Sequence, residues 1–303
     1  GLAGSTFPPM IAHMAGRPDL GEQFTSDQIG CWAITEPDHG SDQLDFDGSI
    51  SATGMDRGRP NCIARKDGNS VVITGQKSSW VSNGTIAETA ALFCAYDDGG
   101  GGEMGQAVFL VDLKDGGVSR GKPTDKIGQR SLNQGEIFFD EVRIPIGNMA
   151  VGPEKYATFV DTLLCGTNAG MGASFVGVAQ AALDHAVAYA KERKQGGVPI
   201  FQHQSVKARL FEMFRKVAAA RALNQQVMIY NATAPKPRLE LAIASKVTST
   251  QTAFEVASEA MGIYGGAGIM RDNPIEMLMR DARIAMIEDG CNDILGLMAA
   301  ERL

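Results

Sequence analysis

The stretch TAALFCAYDDGGGGEMGQAVFLVDL, Thr89 to Leu113, holds two apolar runs on either side of a polar, glycine-filled break. Runs of this length, rich in aromatic and β-branched residues and bounded by Gly and Asp, read as two strands of a hairpin. Asp97–Gly102 is then its flexible tip and carries no chemistry. Working outward, CWAIT (Cys31–Thr35), VVIT (Val71–Thr74), EIFF (Glu136–Phe139) and VRIP (Val142–Pro145) repeat the theme, with no helical pattern between them. Residues 31–150 are therefore expected to form an antiparallel β domain, a sandwich or a barrel, because βαβ units would need helices between the strands. From about Glu154 the period changes. Val206, Leu210, Met213, Val217, Ala220, Leu223 and Val227 recur every three or four residues, as one buried helical stripe requires. Three or four long helices over residues 151–303 are expected to form a four-helix-type bundle, broken at Gly196–Pro199, Ala234–Pro237 and Gly262–Gly268. The fold class is thus α+β. Residues 1–30 read as the tail of an earlier helix, PMIAHMAG (Pro9–Gly16), followed by a loop.

The composition narrows the function. The chain has 303 residues, 44% hydrophobic and 21% charged, which is that of a globular protein able to bury a large core. Lys+Arg of 28 against Asp+Glu of 35 leaves a net charge of −7, which repels an extended phosphate backbone, so nucleic acid is not an expected partner. Five scattered cysteines without a C-x-x-C, and four histidines without ligand spacing, predict free thiols in a reducing compartment and no metal. No run nears the roughly 20 apolar residues of a membrane span, and the opening GLAGSTFPPM lacks the features of a signal peptide. The expected location is a bacterial cytoplasm or, if a transit peptide has been removed, a mitochondrial matrix. No nucleophile elbow, P-loop or H-E-x-x-H is present, and the G-G-x-G at Gly265–Gly268 follows a helical segment where a dinucleotide fingerprint must follow a strand. From spacing alone, that run reads as a helix-ending turn.

Longer segments carry more. TEPDHGSD (Thr35–Asp42), WVSNG (Trp80–Gly84) and MRDARI (Met279–Ile284) resemble, in order and spacing, the T-E-P-x-x-G-S-D, W-I-T-N-G and M-R-D-A-K-I signatures of the acyl-CoA dehydrogenase family. GQR (Gly128–Arg130) before FFDEVRIP, and ERK (Glu192–Lys194) ten residues before His203-Gln204, also match. The resemblance spans essentially the whole chain. It implies an N-terminal helical domain, of which residues 1–30 are a remnant, a middle β domain and a C-terminal four-helix bundle. The implied activity is α,β-dehydrogenation of an acyl-CoA thioester with FAD as hydride acceptor and an electron-transfer flavoprotein as the next electron carrier. The implied assembly is a homodimer or homotetramer.

Removing hydrogens from Cα and Cβ of a thioester needs a base for the α-proton and a hydride acceptor, and no side chain accepts hydride. The family's base lies in I-Y-E-G-T, which aligns with Ile287-Glu288-Asp289-Gly290-Cys291 and puts Asp289 at the base position, with Glu288 as the alternative. Asp is one methylene shorter than Glu, roughly 1.5 Å less reach, which implies either an unusual acyl group, cyclic or branched, or a Glu288 that swings in. The bland reading makes both solvated acids near a helix N-terminus. For the flavin, the resemblance implies Thr35 at the polar edge of the ring with Trp32 and Ile34 beside it. Gly40 and Ser41 fall near the pyrophosphate or thioester, Trp80 against the ring and Ser82 near its N5 region. Arg193, Gln195, His203, Gln204, Gly262, Gly265 and Gly266 would hold the dinucleotide of a neighbouring subunit, and Cys291 and Asp293 complete the cofactor set. Ser41, Asn168 and Asp289 are the implied substrate residues; Asn168 stands near an arginine the family uses for CoA, and Gly196 replaces a common phenylalanine. Taken singly, Trp80 reads as a core aromatic and Thr35 and Ser41 as turn residues. Two further functions are compatible with the same fold: a flavoprotein oxidase of the nitroalkane oxidase type, which also uses an Asp base, and a non-catalytic flavin-binding subunit of a heteromer. A DNA-associated branch of the family is disfavoured by the net charge.

Overall fold

A computed structural model describes residues 5–44 and 60–303. By its contacts the chain divides into two compact units, Gly1–Lys126 with Arg130–Val160, and Ile127–Gln129 with Asp161–Leu303. Among the described residues no helix is long and apolar enough to cross a membrane.

The first unit opens with two short helices, α1 (Phe7–Met14) and α2 (Pro18–Gln23), each with proline in its first turn, where the missing N–H costs nothing. Among the described residues eight strands follow: β1 (Gly30–Ala33), β2 (Cys62–Asp67), β3 (Ser70–Lys77), β4 (Thr89–Asp97), β5 (Gly105–Asp112), β6 (Val118–Arg120), β7 (Ile137–Pro145) and β8 (Met149–Val151). They form one sheet in the order β6-β7-β3-β2-β4-β5-β8, with β1 also paired to β4. The expected hairpin is β4–β5, running from Thr89↔Asp112 to Tyr96↔Gly105. The sheet is mixed, however, and not purely antiparallel: β1 lies parallel to Thr89–Leu92 and β2 parallel to Ala95–Asp97, so both use β4. Parallel neighbours are joined by crossovers, and the spacing of apolar runs does not reveal which strand a crossover brings alongside. EIFF and VRIP also prove to be a single strand. Between them the register passes from Gly75↔Phe139 to Ile73↔Val142, a bulge at which Glu141 takes φ 50°. Strand β2 escaped the sequence reading because its second half, Arg65–Asp67, is charged and exposed.

Alternate residues of the strands, among them Ala64, Ile73, Leu92, Phe109, Phe139 and Val142, fall in one hydrophobic cluster, so the sheet curls around a shared interior. Strand β4 is buried on both faces. On its outer side Phe93 meets Trp32, whose ring stands 4.5 Å from Phe7 and 5.7 Å from Phe93, and Tyr156. Within this apolar unit one ion pair is fully enclosed: Lys77 Nζ donates to Glu36 Oε1 at 2.7 Å and to the Ile34 carbonyl at 2.9 Å. The other Glu36 oxygen accepts the Asn61 N–H at 2.6 Å.

The long helices of the second unit are α3 (Pro153–Glu192), which belongs to it from Asp161 onward, α4 (Gln204–Thr233) and α5 (Leu239–Tyr264); α6 (Pro274–Ala285) and α7 (Asn292–Ala300) are short. A two-residue hairpin, β9 (Lys194–Gln195) with β10 (Val198–Pro199), turns the chain from α3 to α4. The three predicted breaks fall between these elements. The helices share one hydrophobic core rich in small residues, among them Ala179, Ala182 and Ala186 of α3 and Ala253, Ala257 and Ala260 of α5. The α4 stripe differs at one step from the expected one. Asn224 is buried where Leu223 was expected, and its Nδ2 donates to the Ala169 carbonyl (2.8 Å) and Ser245 Oγ (2.9 Å). A step of four from Ala220 keeps the stripe on one face, and the polar side chain is tolerated there because it is paired.

Lys77→Met should cost about 3–5 kcal/mol of the first unit's stability, because it strands the Glu36 carboxylate in the interior. Adding Glu36→Gln should recover part of that loss, and denaturant unfolding of the single and double variants measures both.

Candidate active site

In the second unit, α6 ends at Ala285 and α7 starts at Asn292; the six residues between them hold the candidate base. Asp289 and Gly290 adopt φ values of 51° and 87° in succession. Glycine takes this left-handed form freely and Asp is among the few other residues that tolerate it. The reversal sends neighbouring side chains apart. Glu288 accepts a hydrogen bond from Gln129 Nε2, and the Gln129 backbone N–H donates to Asp281 Oδ1, so the GQR and MRDAR motifs meet at this segment. By surface area Asp289 is exposed, while the protein density around its carboxyl is that of an interior group. The direction of its shift follows from the surrounding protein. Desolvation lifts the carboxyl above the usual value of 3.8, with the Lys246 ammonium acting in the opposite sense. Cys291 is the N-cap residue of α7, and Asp293 is exposed in that helix's first turn.

The same unit holds a cleft of about 480 Å³ that brings together Arg193, Gln195, His203, Gly262, Gly265 and Gly266. Gln204, at the start of α4, is outside its lining. The β9–β10 hairpin presents Arg193 and Gln195, and His203 Nε2 lies 3.1 Å from the Gln195 carbonyl oxygen. Gly265 ends α5 at φ 59°, as the helix-ending reading required, and a Cβ at Gly265 or Gly266 would point into open space. Two cleft features escaped the sequence reading: Arg209, ion-paired to Glu259, and the stacked rings of Tyr189 and Tyr264, 4.0 Å apart. Arg209 follows His203 by six residues on the first turns of α4, a relation that becomes visible only when the helix start is known. Among the described residues the Arg193 guanidinium has no side-chain hydrogen bond or ion pair, so its charge is available to an anion. Guanidinium, imidazole and amide donors over a side-chain-free glycine turn fit the pyrophosphate and sugar of a dinucleotide.

The candidate flavin-edge residues belong to the first unit. Thr35 follows the end of β1, and its carbonyl accepts the Ser78 N–H at 2.9 Å, which ties the T-E-P turn to the chain leading to Trp80. Trp80 is 58% exposed, an unusual position for an indole without a partner surface, and so not the core aromatic of the bland reading. Ser82 forms a bridge with Gln134, whose side chain also donates to the Trp80 carbonyl at 3.2 Å. Gly40 and Ser41 sit on an exposed turn held by Asp42, which accepts the Gly40 N–H at 2.6 Å; a Cβ at Gly40 would meet nothing. Ile34 is half-buried, its carbonyl bound by Lys77. Trp32 is committed to packing between Phe7 and Phe93, with its indole N–H buried and without a partner among the described residues. Asn168 is 2% exposed and its Nδ2 donates to the Leu164 carbonyl of its own helix.

Family models match both halves of the chain: "Acyl-CoA dehydrogenase, middle domain" over residues 31–142 and "Acyl-CoA dehydrogenase, C-terminal domain" over residues 160–303. A cyclohexane-1-carbonyl-CoA dehydrogenase of Geobacter metallireducens is 30% identical over 280 residues, covering 91% of this chain and 68% of that protein. The chain belongs to the acyl-CoA dehydrogenase family. The mitochondrial short-chain specific acyl-CoA dehydrogenase of Bos taurus is 33% identical over 282 residues, 92% of this chain but only 64% of the relative's length. The solved butyryl-CoA dehydrogenase of Megasphaera elsdenii superposes with a TM-score of 0.87 at 27% identity, covering 99% of this chain and 76% of that one. The middle and C-terminal family matches fall on the β unit and the helical unit respectively.

A carboxyl-selective NMR titration should place Asp289 above 3.8, since desolvation disfavours its charged form. A midpoint at or below 3.8 would mean that the Lys246 ammonium, and not desolvation, governs this group.

Proposed function

We propose that this chain catalyses α,β-dehydrogenation of an acyl-CoA thioester, with Asp289 as the base that takes the α-proton. The observation that carries the reading is the separation of the two adjacent acids: Glu288 is bound by Gln129, while Asp289 stands apart with a desolvated carboxyl. A carboxylate raised above its usual value is a stronger base in its ionised form, which suits a weakly acidic α-proton. FAD supplies the acceptor for the β-hydride when bound. Thr35, Trp80 and Ser82 are the residues proposed to meet its ring system, with Ile34 and Ser41 beside them. Arg193, His203, Gln195 and the Gly262–Gly266 turn hold a dinucleotide at their cleft, Arg193 by charge and the glycines by close backbone approach. In the reading adopted here that dinucleotide belongs to a neighbouring subunit of a homodimer or homotetramer, and an electron-transfer flavoprotein receives the electrons. Trp32 and Asn168 are left out of the proposed contact set, because packing occupies the first and the bundle interior encloses the second.

Asp289 reaches less far than a Glu at the same position, so the α-carbon has to come closer to the backbone of residue 289. That requirement favours acyl groups whose own bulk seats the α-carbon there, cyclic or branched ones, and the cyclohexane-1-carbonyl-CoA dehydrogenase relative supports this reading. Anaerobic mixing of the flavin-loaded protein with a panel of linear, branched and cyclic thioesters tests it: bleaching of the flavin absorbance is expected, fastest with a branched or cyclic acyl group. Asp289→Asn should retain flavin and slow bleaching by about 10²–10⁴-fold, the range of general-base effects, whereas Glu288→Gln should keep most of the rate. The reverse ranking moves the base to Glu288, and two active variants end the carboxylate mechanism.

Arg193→Ala should lower both flavin content and the oligomer fraction, by loss of charge-assisted contacts worth about 1.5–3 kcal/mol each. Absorbance ratio and sedimentation measured on the same preparation check the pair of effects.

A further inference from the structure

Lys246, in the middle of α5, is fully buried, and all three hydrogens of its ammonium are used. Nζ donates to the Glu288 carbonyl at 3.1 Å, the Gly290 carbonyl at 2.8 Å and Asn292 Oδ1 at 2.9 Å. None of these acceptors lies on its own helix. Every one belongs to the segment that carries Asp289, and the two carbonyls lie one on each side of residue 289. Around this cation the loop is closed by the Asn292 N–H on the Met286 carbonyl (3.0 Å) and by Asn292 Nδ2 on Thr250 Oγ1 (3.0 Å), one turn along α5 from Lys246. Burial draws the Lys246 ammonium down to about 8, while Asp289, Glu288 and Cys291 act in the opposite sense, so it remains predominantly protonated at neutral pH and all three donors persist.

This arrangement is not explained by stability alone. A buried charge is a costly way to hold two elements together, and a packed apolar side chain of the same length does so at least as well. A nucleophilic or imine-forming role is excluded by geometry, because the amine is enclosed and its hydrogens are committed. What an apolar side chain cannot do is hold the peptide groups flanking residue 289 in one orientation while that residue stays in a left-handed conformation disfavoured for residues other than glycine.

We propose that Lys246 is the positioning residue of the base segment, gathering the carbonyls on either side of residue 289 onto one ammonium and so aiming the Asp289 carboxyl at the substrate's α-carbon. The inference rests on Asp289 being the base. A base displaced by about 1 Å loses on the order of 100-fold in rate, so the effect is expected in turnover and not in substrate affinity.

The test compares wild type, Lys246→Met and Asp289→Asn, each loaded with flavin, by amide hydrogen exchange and by anaerobic flavin reduction. Lys246→Met should raise exchange in residues 286–292 about tenfold or more, as loss of hydrogen bonds to a charged donor predicts, with α4 and the rest of α5 unchanged. Its kcat should fall about 100-fold with KM within a few-fold of wild type. Unchanged exchange in 286–292, exchange raised throughout α5, or a loosened segment with wild-type kcat would each overturn the proposal. If Lys246→Met does not fold, Asn292→Ala removes one of the three acceptors and should loosen the same segment to a smaller extent; an unaffected segment then overturns it. An active Asp289→Asn protein removes the base assignment itself. An inactive Asp289→Asn beside a wild-type-like Lys246→Met leaves that assignment standing and defeats this inference alone.

Discussion

A lysine ammonium taken out of water must find its hydrogen bonds in the protein, and around Lys246 that requirement organises the working end of the helical unit. The acceptors are two carbonyls of the base segment and the side chain of Asn292 at the start of α7. The path of the chain from α6 to α7 is therefore dictated by a charge on α5, and α5 itself is the helix on which the rest of the unit's core is assembled. Asp289 inherits its left-handed backbone, and with it its separation from Glu288, from this tie.

The β unit contains a parallel arrangement. Lys77, fully buried, donates to the Ile34 carbonyl and to Glu36, the acid of the T-E-P turn, so the strand end that carries Thr35 is also held by an enclosed ammonium. The two segments these lysines hold, residues 34–37 and 287–291, have no regular secondary structure of their own. Irregular backbone is where side-chain direction can be set freely, and it is also where strands and helices supply no hydrogen bonds to fix it. A buried cation with several acceptors replaces the missing ladder, and its removal has consequences beyond the loss of one contact.

The cleft lined by Arg193, His203 and the glycine turn is built differently. Its glycine turn at the end of α5 and the short hairpin after α3 place donors on the surface without burying any of them, so Arg193 and His203 remain accessible. An anion can displace water there at little cost, whereas the 286–291 segment is tied down by the buried Lys246 ammonium.

Much of this was legible in the chain itself. Local patterns determined the β-then-α division, the β4–β5 hairpin, the three helix breaks and the helix-ending role of Gly265, because each depends on residues within a few positions of one another. The motif matches were local too, and they are what pointed to Thr35, Trp80, Arg193, His203 and Asp289 as the residues proposed for the site. The parallel pairings of β1 and β2 with β4, the bulge that makes EIFF and VRIP one strand, and the burial of Asn224 in place of Leu223 depend on what lies opposite in space, which local pattern does not encode. Lys246 is the clearest case. In the run IASKV it is a lysine at a position where the helical period calls for burial, a conflict visible in one dimension but without a resolution there. Only the tertiary structure supplied the three acceptors, more than forty residues away, that let an ammonium stay charged inside the protein.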